Sequence, residues 1–209
     1  MTSASSEVPK RAAARRRLSE EERRAQILQA TILVVSRHGF EGASASLVAE
    51  QAGVSKGLIW HYFADKGDLM KQAVVAAVQA IQGEMAAELD LSAPVTDLIR
   101  ASIRWLAAAS KTHRDDFNAL NQITRSLRAP DGTPAFSLAD YEDVYQAEEA
   151  LFRRGQAEGL FRPFDTRVMA VTYQGAIDMM LSYVDSHPDT DTDGYADALA
   201  DILLAAMAR

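Results

Sequence analysis

The chain has 209 residues, of which 48% are hydrophobic and 24% charged, a composition typical of a folded globular protein. It contains no cysteine, which excludes disulfides, zinc–thiolate sites and cysteine nucleophiles and suits a cytoplasmic protein. The net charge is −7, yet residues 1–70 hold ten Lys/Arg against eight Asp/Glu, so an acidic protein has a locally basic end. No apolar run approaches the roughly 18–20 residues of a membrane span, and we expect no membrane partner.

The first predicted segment, residues 1–18, is a disordered basic arm. It is small, polar and basic, and it shows no periodicity. Its cations are Lys10, Arg11, Arg15, Arg16 and Arg17.

Three short helices are predicted to follow over residues 19–65. Ser19 and Glu22 have the spacing of a capping box, so the first helix should begin there, and Gly39 should end it. Ser44 should start the second helix. Gly53 breaks that helix, and Ser55 caps the third. Three helices with a tight glycine turn between the last two form a helix-turn-helix, whose second member reads the major groove of DNA.

The third helix has an inward and an outward face. Ile59 and Phe63 have the spacing of the inward face. The outward residues are then Lys56, Gly57, Trp60 and His61. A lysine can neutralise a phosphate or read a purine, rings can pack on sugars, and glycine allows close backbone approach. The alternative is a solvated helix that carries a few stray aromatic side chains.

The segment "GFEGASASLVAEQAGVSKGLIWHYFADKGDLM", residues 39–70, resembles the DNA-binding signature of TetR-type transcriptional regulators. The resemblance implies an all-α homodimer with an N-terminal three-helix DNA-binding domain and a larger helical ligand-binding and dimerisation domain. It also implies that Lys66 grips a phosphate, and that Ser44 or Ser46 supplies a phosphate-binding hydroxyl in place of Ala45. Carried over by position, the other DNA contacts are Ser55, Lys56, Gly57, Trp60, His61 and Tyr62, with Leu58 where Thr or Ser is frequent.

The basic arm resembles extensions that reach into the minor groove of DNA. A solubilising tail is an equally good interpretation of the same residues.

The remaining residues, 66–209, are predicted to form the helical effector-binding and dimerisation domain. Asp65 caps a long fourth helix, Pro94 opens a fifth, and further helices are expected at His113–Leu127, from Tyr141 to near Gly159, and over 166–186 and 193–208. The chain should therefore contain about nine helices and be all-α.

Aromatic and polar side chains of this domain are candidates for a small-molecule pocket. They are Trp105, Phe117, Asn121, Tyr141, Tyr145, Glu148, Gln174, Asp178 and Met179. Aromatic rings beside a carboxylate suit a cation. The alternative is an ordinary core with a few satisfied polar groups. We hypothesise that an effector shifts the fourth helix and so moves the two recognition helices of a dimer.

Residues 168–184 are apolar on two sides, so this helix needs two partners, one inside the subunit and one outside. The sequence predicts a four-helix dimer interface from the last two helices of each subunit. Its residues are Tyr173, Ile177, Leu181, Val184, Leu199, Ile202 and Leu203. The alternative is that both faces are buried within one subunit.

No catalytic or cofactor motif is present. The segment "DSHPDTDTDG", 185–194, begins like a calcium loop, but Ala200 stands where a bidentate glutamate is required, so we expect an acidic helix cap and no metal site. The sequence predicts a homodimeric, ligand-responsive regulator that is not an enzyme and needs no cofactor. We expect a repressor released from a palindromic operator by a small molecule. The alternative is a protein-interaction or small-molecule-binding protein that reuses the helix-turn-helix surface without specific DNA binding.

Overall fold

A computed structural model of the protein describes residues 18–209, and the predicted basic arm lies outside them except for Leu18. The described chain is all-α, which confirms the predicted fold class. Its nine α-helices and one 3₁₀ turn are α1 Glu20–Gly42, α2 Ala45–Ala52, α3 Lys56–Tyr62, α4 Lys66–Glu88, α5 Val95–Thr112, α6 Arg114–Ser126, the 3₁₀ turn Leu138–Tyr141, α7 Glu142–Ala157, α8 Thr166–Ser186 and α9 Thr192–Met207. None of these helices is long and apolar enough to span a membrane.

The four predicted helix starts are confirmed by side-chain caps. Ser19 forms a complete capping box with Glu22 at the start of α1. Ser44, Ser55 and Asp65 each accept a hydrogen bond from a backbone N–H in the first turn of α2, α3 and α4. Each bond satisfies one of the backbone donors that a helix leaves unpaired at its N-terminus.

Two glycines shape the helix-turn-helix. Gly39 has φ 74° and ψ 163° and interrupts α1, so the last turn of that helix leaves the axis of the first part. Gly53 has φ 63° and ψ 36° and ends α2. A side chain at either position would be strained by the positive φ.

The described residues form two apolar cores. The first core combines α1, α2 and α3 with the first half of α4 and one face of α6. The second core combines α5, α7, α8 and α9. The division between the cores therefore does not coincide with the predicted boundary at residues 65–66. Leu69 and Met70 of α4, and Ala119 and Ile123 of α6, are buried with the helix-turn-helix.

The two apolar faces of α8 are arranged differently from the prediction. Tyr173, Ile177 and Val184 of α8 and Leu203 of α9, predicted to contact a second subunit, are buried inside one subunit. The reason is the position of α7, since Tyr173 packs edge-on against the Phe152 ring with centroids 5.6 Å apart. Leu181 and Leu199 are half-buried against the same core.

The opposite face of α8 is exposed. Its large apolar side chains are Val168, Val171, Met179 and Tyr183, and Ile202 of α9 is exposed as well. Gly175 lies along the same helix and has open space where a side chain would be. Of the predicted interface residues, Ile202 is the one that is freely accessible in the single subunit.

Candidate DNA-binding surface and effector site

Helix α3 is anchored from beneath by two buried side chains. Ile59 is inaccessible to solvent, and Phe63, which ends the helix, is 2% exposed. The guanidinium of Arg24 in α1 lies 5.3 Å from the centroid of the Phe63 ring. The short helix is therefore fixed to α1 and to the first core through one side.

The other side of α3 faces solvent, as predicted. Lys56, Gly57 and His61 are exposed, and Trp60 is 41% exposed despite its large indole ring. Nothing lies within 4 Å of where a Cβ of Gly57 would be, so another molecule could approach the backbone there. The outward orientation agrees with the sequence pattern, and contact of these residues with DNA stays a prediction.

The remaining predicted DNA contacts surround this face. The Ser44 and Ser55 hydroxyls are 3.3 and 3.2 Å from the N–H groups of Leu47 and Leu58 that they cap, and Ser46 is exposed. Leu58 and Tyr62 are half-buried, and the Tyr62 ring meets that of His61 edge-on at 5.3 Å. A capping hydroxyl keeps its own hydrogen and can still donate to a phosphate.

Lys66 has an internal partner that the sequence did not reveal. Its ammonium donates to the Phe40 carbonyl oxygen at 3.1 Å and lies 4.9 Å from the centroid of the Phe40 ring. An ammonium has three donors, so a phosphate could be added to these contacts. Lys66 therefore holds the segment before α2 even when no DNA is bound.

A cluster of aromatic and acidic side chains lies between α7 and α8. The rings of Tyr141 and Tyr145 stack with centroids 5.9 Å apart. Burial, with the charge of Asp178 as a second cause, raises the pKa of Glu148 to about 8. Its Oε2 is buried and has no hydrogen-bond partner among the described residues. Burial also raises the pKa of Asp178, although Gln174 donates a 2.8 Å hydrogen bond to it.

Two other carboxylates close to this cluster form ion pairs with arginines. Arg167 donates to both oxygens of Glu142 at 2.8 Å, and these bonds lower the pKa of Glu142 to about 2. Arg167 also contacts the buried Glu149, which Arg153 contacts from the next turn of α7. Arg167 thus serves the neighbouring carboxylates, whereas no described cation pairs with Glu148 or Asp178.

The structure does not bring every predicted pocket residue to this cluster. Trp105 donates to Glu88 at 2.7 Å and lies beside the His113 ring, so its polar partner comes from α4. Phe117 and Asn121 are half-buried on α6, the helix that packs into the first core. Met179 is 66% exposed on the outer face of α8 and was wrongly placed in the pocket.

The acidic segment before α9 is a helix cap. An Asp191 carboxylate oxygen accepts from the Gly194 N–H at 3.1 Å and so caps the first turn of α9. Within residues 18–209, no group of three or more His, Asp or Glu side chains could hold a metal ion.

Comparison with known proteins identifies the family. Residues 27–73, which include the whole of α2 and α3, match the family model described as bacterial regulatory proteins, tetR family. The HTH-type transcriptional regulator BetI of Serratia proteamaculans is 30% identical over 187 residues, covering 78% of this chain and 90% of that protein. The chain belongs to the TetR family.

Some other relatives match over a shorter stretch of the chain. BetI of Proteus mirabilis is 46% identical over 52 residues, which cover 25% of this chain and 26% of that protein. The chain thus spans about a quarter of the length of BetI from Proteus mirabilis and of BetI from Vibrio vulnificus, two of the curated relatives that it matches.

Two solved structures of other proteins are similar to this chain in fold. FadR from Bacillus halodurans has a TM-score of 0.75 at 17% identity, covering 90% of this chain and 97% of that one. FadR from Bacillus subtilis, solved in complex with stearoyl-CoA, has a TM-score of 0.72 at 18% identity, covering 87% and 98%. At these identities the likeness is one of fold alone.

Proposed function

We propose that the protein is a homodimeric, ligand-responsive repressor that acts in the cytoplasm and is released from a palindromic operator by a small-molecule effector. The observation that carries DNA recognition is the outward face of α3. Lys56 and Trp60 are exposed there without a described internal partner, while Ile59 fixes the helix from below. A rigid helix that presents a cation, rings and an open glycine backbone suits base edges and phosphates in a major groove.

The exposed apolar face of α8 and α9 supports the dimer. Val168 and Met179 lie on one face of α8, and both side chains, like Ile202 of α9, are more than 60% exposed, which is unusual for large apolar groups. A two-fold partner would cover this face with the same face of a second copy, and open space at Gly175 lets the helices approach closely.

The cluster between α7 and α8 supports an effector with a positive charge. A cation there would stabilise the ionised forms of Glu148 and Asp178 and lie beside the stacked rings of Tyr141 and Tyr145. Arg167, whose guanidinium lies over the Tyr145 ring, is already bonded to Glu142 and Glu149 and is not free to bind the phosphates of a ligand such as the stearoyl-CoA of the Bacillus subtilis structure. We therefore propose an organic cation as the effector class.

Selection of binding sites from a random DNA pool tests the DNA-binding function. We expect a palindromic winner whose affinity falls steeply with salt, by about 0.9 log units per log unit of salt for each phosphate neutralised. Enrichment of no sequence, or affinity that is insensitive to salt, would instead favour a surface that binds another protein.

Titration of the protein–operator complex with tetraethylammonium tests the effector class, and sodium decanoate is the matched anionic probe. We expect the cation, and not the anion, to release the operator and raise the melting temperature. Release by decanoate alone would contradict a cationic effector and leave the DNA-binding function intact.

A further inference from the structure

The kink of α1 leaves a backbone donor that α1 itself cannot satisfy. In a continuous helix the Phe40 N–H would donate to the carbonyl of the residue four positions earlier. Gly39, with φ 74° and ψ 163°, turns the chain away from that geometry. The Phe40 N–H instead donates to Oε1 of Gln122 in α6 at 3.1 Å. The kink is thus capped by a side chain that lies 82 residues further along the chain.

Gln122 is itself held in place. Its Nε2 donates to Asn118 Oδ1, one turn earlier on α6, at 2.8 Å, and this bond directs Oε1 towards α1. The adjacent Ile123 is fully buried in the first core. A second bond joins the same two helices, from Ser36 to Asp115 at 2.6 Å.

The same residue is also held by α4. The Phe40 carbonyl accepts from Lys66 at 3.1 Å, so both polar groups of Phe40 are bound by other helices. Four residues later, Ser44 caps α2, and the turn at Gly53 joins α2 to α3. The direction in which α3 points therefore depends on how this segment is held.

Helix α6 belongs to the first core but is flanked in sequence by elements of the second. One residue, His113, separates it from α5, and the 3₁₀ turn and α7 follow it. The Gln122 side chain is consequently a direct polar link between the helix-turn-helix and a helix that one residue joins to α5 of the second core.

We propose that Gln122 is a positioning residue for DNA recognition. By capping the kink at Phe40, it fixes the helix-turn-helix against α6 and so sets the separation of the two recognition helices in the dimer. This inference rests on the proposed function, because it requires two α3 helices that read half-sites at a fixed spacing.

The test compares variants of the full-length protein on the selected operator and on copies with the spacer between half-sites changed by one base pair. Gln122→Met keeps the length of the side chain and removes the acceptor, whereas Gln122→Glu keeps an acceptor oxygen. We expect the wild type and Gln122→Glu to lose about tenfold in affinity when the spacing changes, and Gln122→Met to lose less than about threefold. Hydrogen exchange of the Phe40 amide should be faster in Gln122→Met.

A merely structural role would lower the melting temperature of Gln122→Met and leave its spacing preference unchanged, and that result would overturn the inference. If Gln122→Met does not fold, Asn118→Ala removes the anchor of Gln122 and should relax the spacing preference in the same direction. An unchanged preference in Asn118→Ala would then count against the inference. Failure of the wild type itself to bind the operator would overturn the proposed function and this inference with it.

Discussion

The regions built around the two apolar cores differ in how their polar side chains are solvated and hydrogen-bonded. In the half that contains the helix-turn-helix, Lys56, Trp60 and His61 of α3 are exposed to water, and the capping residues Ser44 and Ser55 are already bonded to the backbone. In the half built around the second core, Glu148 has a buried oxygen without a hydrogen-bond partner among the described residues. The polar groups on the first surface are therefore in place before a ligand binds, whereas burial of Glu148 disfavours its ionised form, which a bound cation would stabilise.

The largest expected effect follows from removing the exposed face of α3. The double change Lys56→Ala and Trp60→Ala should weaken operator binding by about 100-fold, since each good base or phosphate contact contributes about 1–3 kcal/mol. The melting temperature should change little because both side chains are exposed. Fluorescence anisotropy with labelled operator measures the first quantity. Leu91→Ala, an exposed apolar residue outside α3, is the control, and equal losses for both proteins would contradict the assignment.

Substitutions on the exposed face of α8 test whether the protein dimerises through this face and whether the dimer is needed for DNA binding. Val168→Glu with Met179→Glu puts like charges opposite each other across a two-fold axis, so the mass in solution should fall from dimer to monomer. Affinity for the full palindrome should then fall by about tenfold or more, while affinity for a half-site stays the same. Val75→Glu, on an exposed position of α4, should remain dimeric. A dimer that survives both changes on α8 would exclude this face as the interface.

The half built around the second core should show an unusual dependence of stability on pH. The pKa of Glu148 in the folded protein is about 8, above its ordinary value of 4.5, so folding favours the protonated acid. This contribution is present below pH 4.5 and is lost as the pH rises through 8. After discounting for partial exposure, Glu148→Gln should raise the free energy of unfolding at pH 8.5 by roughly 2 kcal/mol.

Thermal melts from pH 5 to pH 8.5 measure this effect, with Glu142→Gln as the matched control. The pKa of Glu142 is lowered to about 2 by Arg167, so its stabilising contribution is complete at neutral pH and is lost only as the pH falls towards 2. Glu142→Gln should therefore destabilise the protein evenly across this pH range. Identical pH profiles for the wild type and Glu148→Gln would show that Glu148 is solvated.

The smallest expected effect belongs to Lys66. Its side chain is bonded to the Phe40 carbonyl inside the protein and also lies near the candidate DNA-binding surface. Lys66→Ala should weaken binding to all DNA sequences alike, by about three- to tenfold, and reduce the salt slope by about one. Binding titrations at several salt concentrations measure both. A lower affinity with an unchanged slope would mean that the bond to Phe40, and not a phosphate contact, is the role of Lys66.

The sequence predicted best what is determined locally. Four helices are capped by Ser19, Ser44, Ser55 and Asp65, each bonded to a residue three positions later. A short stretch of sequence is therefore enough to predict these caps. The outward face of α3 followed from the periodicity around Ile59. These features supply the helix-turn-helix and its candidate contacts.

What the sequence did not reveal depends on distant partners. Both faces of α8 are apolar, and only the position of α7 decides that Tyr173 faces inward and Met179 outward. Glu148 and Glu149 are adjacent in sequence, yet Arg167 of α8 reaches only the second. The bond from Phe40 to Gln122 joins residues too far apart for any local pattern to indicate.

The placement of α6 limits how this protein can be recombined. The first core needs α1 to α4 and α6, whereas α5 between them belongs to the second core. A fragment cut after α4 would expose the apolar groups that Ala119 and Ile123 cover. A chimaera that exchanges operator specificity must therefore transplant two separate stretches of chain, or else restrict itself to the surface of α3.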